Sequence, residues 1–293
     1  MAVDISDPAF IEGLKRKERA GQRPSYLRLG IATLLLIAYL VPFYYLFVTV
    51  FKTTDEYLRS NVLDLPNSLA PFWDNVVQAW TLGGMGRASL NSLSYAVLGA
   101  GLATALAAGA AYGLTRLRLR SANAWFLLIF AGTLFPFQMF LVPLFFGFQR
   151  TGLINSWLGM VLVYTAICIP FPLLVLRGSF NAIGREIDEA ARIEGASEWR
   201  VFASMILPNA RGPLIALFLI QFTFVWNDLL FSSILAGSPE VRSIMVALQA
   251  LQGTYSSTGP NVVVTASLIS SVPTVILFIF LRRYFMSGLQ LGT

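Results

Sequence analysis

Two groups of residues in this chain have types and spacings that could do chemistry. The first is a charged insert between apolar runs, Glu189-Ala190-Ala191, then Gly195, then Leu207-Pro208 twelve residues after the glycine. It carries no nucleophile with a base beside it, so its chemistry is recognition: two small alanines allow close approach, and the flanking charges keep the segment in water. The second is Asp228, preceded by Asn227, the one charged residue that falls inside an apolar run rather than at its end. An acid in such a place could couple an ion, accept hydrogen bonds from the hydroxyls of a passing solute, or fix helix packing.

Other chemistry is excluded by residue type. The sequence has no histidine, which removes His-based acid–base catalysis, serine or cysteine triads and HExxH zinc sites. Its single cysteine, Cys168, lies within an apolar run and reads as a packing residue; a disulfide within the chain is impossible. The three lysines are Lys15, Lys17 and Lys52; none completes a GxxxxGK[ST] loop, so the chain has no phosphate cradle of that kind for ATP. No metal ligand set or cofactor motif stands out.

The elements that must position these residues are membrane helices. The chain is 56% apolar and 12% charged, with a mean hydropathy of +0.67, far from a soluble globular composition. Apolar runs cover 29–51, 88–115, 121–149, 151–176, 212–227 and 243–281. Each holds a helix of roughly 20 residues, enough to cross a bilayer core. The fifth continues past Asp228 to give one helix over 213–236 with a buried acid, and the sixth narrows to 262–281 because 249–261 is polar and turn-rich. Pro136 and Pro143 in the third run, and Pro170 and Pro172 in the fourth, should kink their helices and open a cavity.

Six crossings put both termini on one side. With that side cytoplasmic, the other keeps only Lys52, Arg59, Arg87, Arg150 and Arg242 of the 21 basic residues, which satisfies the positive-inside rule. The net charge of +6 is thereby a membrane-flanking pattern rather than a nucleic-acid footprint. Trp125 and Trp157 stand near span ends, where interfacial aromatics belong. Residues 1–29 form a cytoplasmic tail without a cleavage site, in which Phe10, Ile11 and Leu14 could line a membrane-surface helix. The first span, 30–51, is then an uncleaved anchor. An external segment, 52–87, has Pro66, Pro71, Trp73, Trp80 and Gly83-Gly84 and could dock something outside. A five-helix core over 88–283 and a tail at 284–293 complete the chain.

The insert itself reads as two short cytoplasmic helices over 185–208. Arg185 with Glu189 and Asp188 with Arg192 are spaced to pair along the first. Gly195 suits a left-handed stop, Ser197 can cap the second helix, and Pro208 should end it. Trp199, Val201, Phe202 and Met205 offer apolar area to a partner or to the membrane body.

With those residues in place, the insert closely resembles the signature of ABC-importer permeases: Glu-Ala-Ala, three residues, Gly, nine residues, Ile, one residue, Leu-Pro. Glu189, Ala190, Ala191, Gly195, Leu207 and Pro208 match, and Met205 replaces the isoleucine. Asn91-Ser92-Leu93, Phe135-Pro136, Pro143-Leu144, Trp226-Asn227-Asp228, Arg283-Tyr284-Phe285 and Gly288-Leu289 extend the resemblance to the carbohydrate-uptake branch, in particular the smaller permease of maltose-type transporters. The resemblance implies an all-α, six-helix type I importer permease in the cell or inner membrane. It also implies half of a translocation path for a sugar, oligosaccharide or polyol, with the Glu189–Pro208 loop seated in an ATPase subunit. The implied partners are a second, different permease, two ATPase subunits holding ATP and Mg, and an external solute-binding protein. The family's Val-Lys-Gly-like ending is replaced by Gly292-Thr293, so a tail contact with the ATPase is not expected. An amino-acid or peptide permease, an ion-coupled secondary transporter using Asp228, and a membrane enzyme are the competing readings.

Overall fold

The computed structural model describes residues 26–117, 119–253 and 258–289, with side chains as far as Phe280. The surface helix proposed around Phe10, Ile11 and Leu14, and the tail at Gly292-Thr293, lie outside the described residues, as do the side chains of the Arg283-Tyr284-Phe285 and Gly288-Leu289 motifs. The described residues are helical, with no strand among them. They group into two units, one ending at Pro71 and one beginning at Phe72.

The first unit contains helix α1 (Tyr26–Val50), which covers the expected anchor up to Val50 and has Pro42 inside it. A short helix, α2 (Thr54–Arg59), follows, its first turn capped by the Thr53 hydroxyl, which accepts from the Glu56 amide at 3.2 Å. Lys52 donates to Ser60 Oγ at 3.1 Å and to the Asn61 carbonyl at 2.9 Å, which folds the chain beyond α1 back on itself.

The second unit opens with α3 (Pro71–Leu82), the amphipathic piece of the external segment, with Trp73, Val77 and Trp80 exposed. Its Asn75 is buried and accepts from Asn261 Nδ2 at 2.7 Å. Helix α4 (Met85–Arg116) is the centre of this unit. Ala96, Ala100, Ala103, Ala107 and Ala111 recur at three- and four-residue spacing on its buried face, and small residues let neighbouring membrane helices approach closely. Around α4 pack α7 (Trp157–Cys168), α8 (Pro170–Ala182), α12 (Arg211–Trp226) and α14 (Ile244–Leu251). At Gly99 the approach is so close that a Cβ would lie 2.8 Å from Tyr164 Cβ.

Among the described residues, three helices are long and apolar enough to cross a membrane by themselves: α1, α4 and Pro260–Phe280 of α15 (Pro260–Leu289). Three bent pairs bring the number of spans to as many as six, the number the sequence predicts. The third span is broken rather than kinked. Helix α5 (Ala122–Ala131) and the 3-10 turns Gly132–Leu134 and Phe137–Phe140 lead into α6 (Leu141–Thr151), with a bend of 95° about Pro136. Pro143, expected to kink, does not, because it occupies the first turn of α6, where its missing N–H has no partner to lose. Likewise Pro170 begins α8 after a 44° bend, and Pro172 falls in the same first turn.

The fifth span departs most from expectation. A continuous helix over 213–236 is not found: α12 ends at Trp226, residues 227–229 are irregular, and a short helix, α13 (Leu230–Leu235), follows. Helix α14, capped by Ser243, whose hydroxyl accepts from the Val246 amide at 3.3 Å, precedes the stretch expected to be turn-rich and overlaps it only at 249–251.

Candidate coupling site

The insert folds as two helices, as the local signals require, but its charges pair differently. Helix α9 (Arg185–Ile193) has Glu186 and Asp188 in its first turn and Arg192 in its last, the arrangement that favours the helix dipole. Gly195 adopts φ +82°. The Ala196 amide donates to Ala191 O and the Gly195 amide to Arg192 O, both at 3.0 Å, which is the Schellman ending that uses the last carbonyls of the helix. Ser197 then caps α10 (Glu198–Val201), its hydroxyl accepting from the Arg200 amide at 3.3 Å.

Pro208 does not end the second helix. The chain passes through a π-wound turn, Phe202–Ile206, into α11 (Leu207–Asn209), with the Leu207 amide reaching back to Phe202 O. A proline at 208 has no N–H for Ser204 O and would crowd that carbonyl in a regular α-turn. The wider turn accommodates it, and the chain bends by 78° into α12 only after Asn209.

Neither expected intrahelical ion pair forms. Asp188 is buried and meets Arg116, at the end of α4, with Nη1 and Oδ2 3.0 Å apart and both side chains 2% exposed. Arg116 Nη2 also donates to the carbonyls of Phe180 and Ile183. Arg192 turns to Glu198 instead, donating from Nε and Nη2 to the two carboxylate oxygens at 2.8 and 3.0 Å. Tyr112, one turn before Arg116, donates to the same carboxylate at 2.6 Å. The Arg192 bonds, and then that of Tyr112, hold the Glu198 carboxyl below the usual carboxylate range. A depressed value means the pairing contributes fully above the ordinary carboxylate pKa and is lost as pH falls through the lowered one. The Glu198 carboxyl is therefore ionised at neutral pH, and the pair, partly open to solvent, is a modest tie between the two helices.

These contacts divide the insert into two faces. Ala191, Val201, Phe202 and Ile206 enter a cluster with Ala107, Ala111, Leu176 and Phe180 and so belong to the membrane body. Glu189, Ala190, Gly195 and Pro208 are exposed, Leu207 is partly buried, and Ile193 and Trp199 stand 88% and 72% exposed. Of the proposed coupling residues, Ala191 alone is turned fully inward. Ile193 belongs to the open face and was missed by motif reasoning because it occupies a variable place in the pattern. Arg116 and Tyr112 were missed because they lie far away in sequence, and Arg116 was legible only as a cytoplasmic charge.

Asp228 sits in the break of the fifth span. Its Oδ2 accepts from Tyr164 Oη at 2.8 Å and from the Ser232 amide at 3.1 Å, and Oδ1 accepts from the Phe231 amide at 3.4 Å. The carboxylate thus satisfies first-turn amides of α13 that have no helical partner, and Gly99 makes the room that brings Tyr164 to it. Asn227 is exposed, its amide donating to Thr223 O at 2.8 Å. The neighbouring Trp226 is buried and donates to Ser270 O at 2.9 Å. A separate cavity of about 630 Å³ opens between α5–α6 and α7–α8, lined by Phe137, Phe140, Leu144, Phe148 and Ile167. Its walls are apolar and offer little to a polyhydroxylated solute.

Gly195 gives a direct test of the turn. A Cβ would meet nothing within 4 Å there, so any loss comes from the left-handed backbone, about 1–2 kcal/mol for a non-glycine residue, and from what docks on the exposed surface. Gly195→Asp is expected to insert normally yet to lower transport and stimulated ATPase activity in the assembled complex. Unchanged transport would show that the turn is not part of the coupling element.

The described residues thus form an all-helical body with helices apolar enough to cross a membrane and a two-helix polar insert that turns at Gly195. The chain belongs to the family described as binding-protein-dependent transport system inner membrane components, whose model matches residues 101–289. It is 30% identical to the diacetylchitobiose uptake system permease protein NgcG of Streptomyces coelicolor, over 87% of this chain and 83% of that one. To the melibiose/raffinose/stachyose import permease protein MelC of Bacillus subtilis it is 27% identical, over 89% and 94%. The fold matches a chain of a bacterial ABC transporter that imports the acidic polysaccharide alginate, with a TM-score of 0.77 at 21% identity, over 89% of this chain and 95% of that one. It is thus a permease component of a binding-protein-dependent ABC importer, not an enzyme, and works with ATPase and solute-binding partners.

Proposed function

We propose that this permease passes a sugar, oligosaccharide or related polyol and pairs with a second, different permease above two ATPase subunits. The similarity to permeases named for diacetylchitobiose and for melibiose, raffinose and stachyose supports the solute class. The open face of the insert, with Glu189, Ala190, Ile193 and Trp199 exposed around the Gly195 turn, supports the coupling role and is the observation that carries it. ATP and Mg reside in the partner ATPases, in keeping with a sequence that has no GxxxxGK[ST] loop. Closure of the ATPases moves the insert, and with it the helices it joins, between inward-open and outward-open arrangements. Asn227 and Asp228 stand at the break of the fifth span, where Asp228 fixes packing and Asn227 is free to face the path.

The test is reconstitution. The isolated chain should neither bind nor hydrolyse ATP. The complex should do both, and in vesicles it should take up a radiolabelled disaccharide presented by its binding protein. Uptake of amino acids or peptides in place of every sugar tried would refute the solute class. Orientation is checked separately: with Cys168 replaced by serine, Ser197→Cys and Asn67→Cys should label from opposite faces. Labelling from one face would refute cytoplasmic termini with six crossings.

A further inference from the structure

We infer that α4 is a transmission rod, keyed at one end to the coupling insert and at the other to the external segment 240–244. This rests on the coupling role proposed for the insert. Helix α4 runs 32 residues without proline or break, whereas the third and fourth spans are bent by 95° and 44° within themselves and the fifth is joined to the insert through a 78° bend. A bent pair can absorb displacement at its joint; a continuous helix carries it to the far end.

Both ends are held by side chains rather than by surface contact alone. At the cytoplasmic end Arg116 grips α9 through Asp188, and Tyr112, on the same face one turn earlier, grips α10 through Glu198. The two halves of the insert are thus tied to one helix. At the other end Asn91 Nδ2 donates to the carbonyls of Glu240 at 2.9 Å and Arg242 at 3.2 Å, and Tyr95 Oη donates to Val241 O at 2.7 Å. Ser92 Oγ accepts from the Ile244 amide at 2.8 Å. Asn91 to Arg116 spans about 37 Å of helix axis at 1.5 Å per residue, the thickness of the bilayer core and a little more.

The burial of these groups makes the ties hard to exchange for water. Asn91, Ser92, Tyr95, Arg116 and Asp188 are all less than a tenth exposed, and a buried polar group that loses its partner is left unsatisfied. Three of the external ties run to backbone carbonyls and one to a backbone amide, so they hold the path of segment 240–244 whatever its side chains are. That segment is the neighbour of α4 on the side opposite the insert, where the solute-binding protein would meet the permease. Asn91, Ser92 and Tyr95 are therefore positioning residues for coupling.

The experiment uses the assembled complex, with a bimane fluorophore on Glu240→Cys, whose side chain is exposed; Cys168, being buried, stays unlabelled. Mg-ATP with vanadate should shift the emission of the otherwise wild-type complex. Tyr95→Phe, which removes one hydroxyl, combined with Asn91→Ala should reduce that shift by about three- to tenfold, while basal ATPase activity is retained. If the double variant does not assemble, Tyr95→Phe alone is read and should give a smaller loss of the same kind. A full-sized shift in an assembled variant would overturn the rod. Absence of any shift in the parent, with nucleotide trapped, would instead overturn the coupling role of the insert and this inference with it.

Discussion

Asp188→Ala should be the most damaging single change in the insert. It leaves the Arg116 guanidinium in a site where its side chain is 2% exposed, with only the Phe180 and Ile183 carbonyls to meet it. Breaking a buried ion pair by removing one member costs about 3–5 kcal/mol, because the remaining charge is uncompensated. That is a large part of the stability of a typical domain, about 5–15 kcal/mol. The expected result is a chain that inserts but unfolds at clearly lower temperature in detergent, with the insert released from α4. Asp188→Asn keeps an acceptor oxygen and should lose less. The pair Arg116→Met with Asp188→Leu removes both charges and should recover most of the stability, since apolar replacements of buried pairs are often neutral. A double-mutant cycle on thermal unfolding measures the coupling. A loss under about 1 kcal/mol for Asp188→Ala would mean that the pair is not structurally important.

Asp228→Leu is expected to impair assembly, while Asp228→Asn gives a near-normal complex with a modest loss of transport. The leucine removes the acceptor for the Tyr164 hydroxyl and for the Phe231 and Ser232 amides at once. Each buried polar group so stranded costs about 1–3 kcal/mol, and Tyr164, with its Cβ packed at Gly99 and its ring against that of Tyr95, has little freedom to seek another partner. Asparagine retains an oxygen of the same reach. Yield of the assembled complex on size-exclusion chromatography separates the two variants. If the leucine variant assembles stably but changes which solutes cross, Asp228 belongs to the solute path, and its hydrogen bonds to α13 are incidental to its role.

The membrane class, the apolar runs and the two-helix insert were determined by the sequence itself, for a local reason. Twenty consecutive apolar residues have one favourable environment. A glycine after Glu194 and a serine before Glu198 act on their own backbone, so Gly195 takes its positive φ and Ser197 its cap without help from elsewhere. The spacing of the Glu189–Pro208 motif was legible for the same reason, because it is contained within twenty residues. What only the tertiary structure decided was which groups meet. An intrahelical pair such as Asp188 with Arg192 is worth about 0.2–0.5 kcal/mol, too little to hold Asp188 once folding buries it beside Arg116 and leaves both charges no solvent. Freed from Asp188, Arg192 takes the bidentate partner that the Gly195 turn brings within reach. Pro143 looks like a kink until its place in the first turn of α6 is known. Asp228 looks like an acid inside a helix until the Tyr164 hydroxyl and the first-turn amides of α13 that donate to it show that the chain breaks there to supply its partners. Local spacing reports what a segment can form, whereas the partner of a buried polar group is chosen by whatever the packed helices place beside it once water is gone.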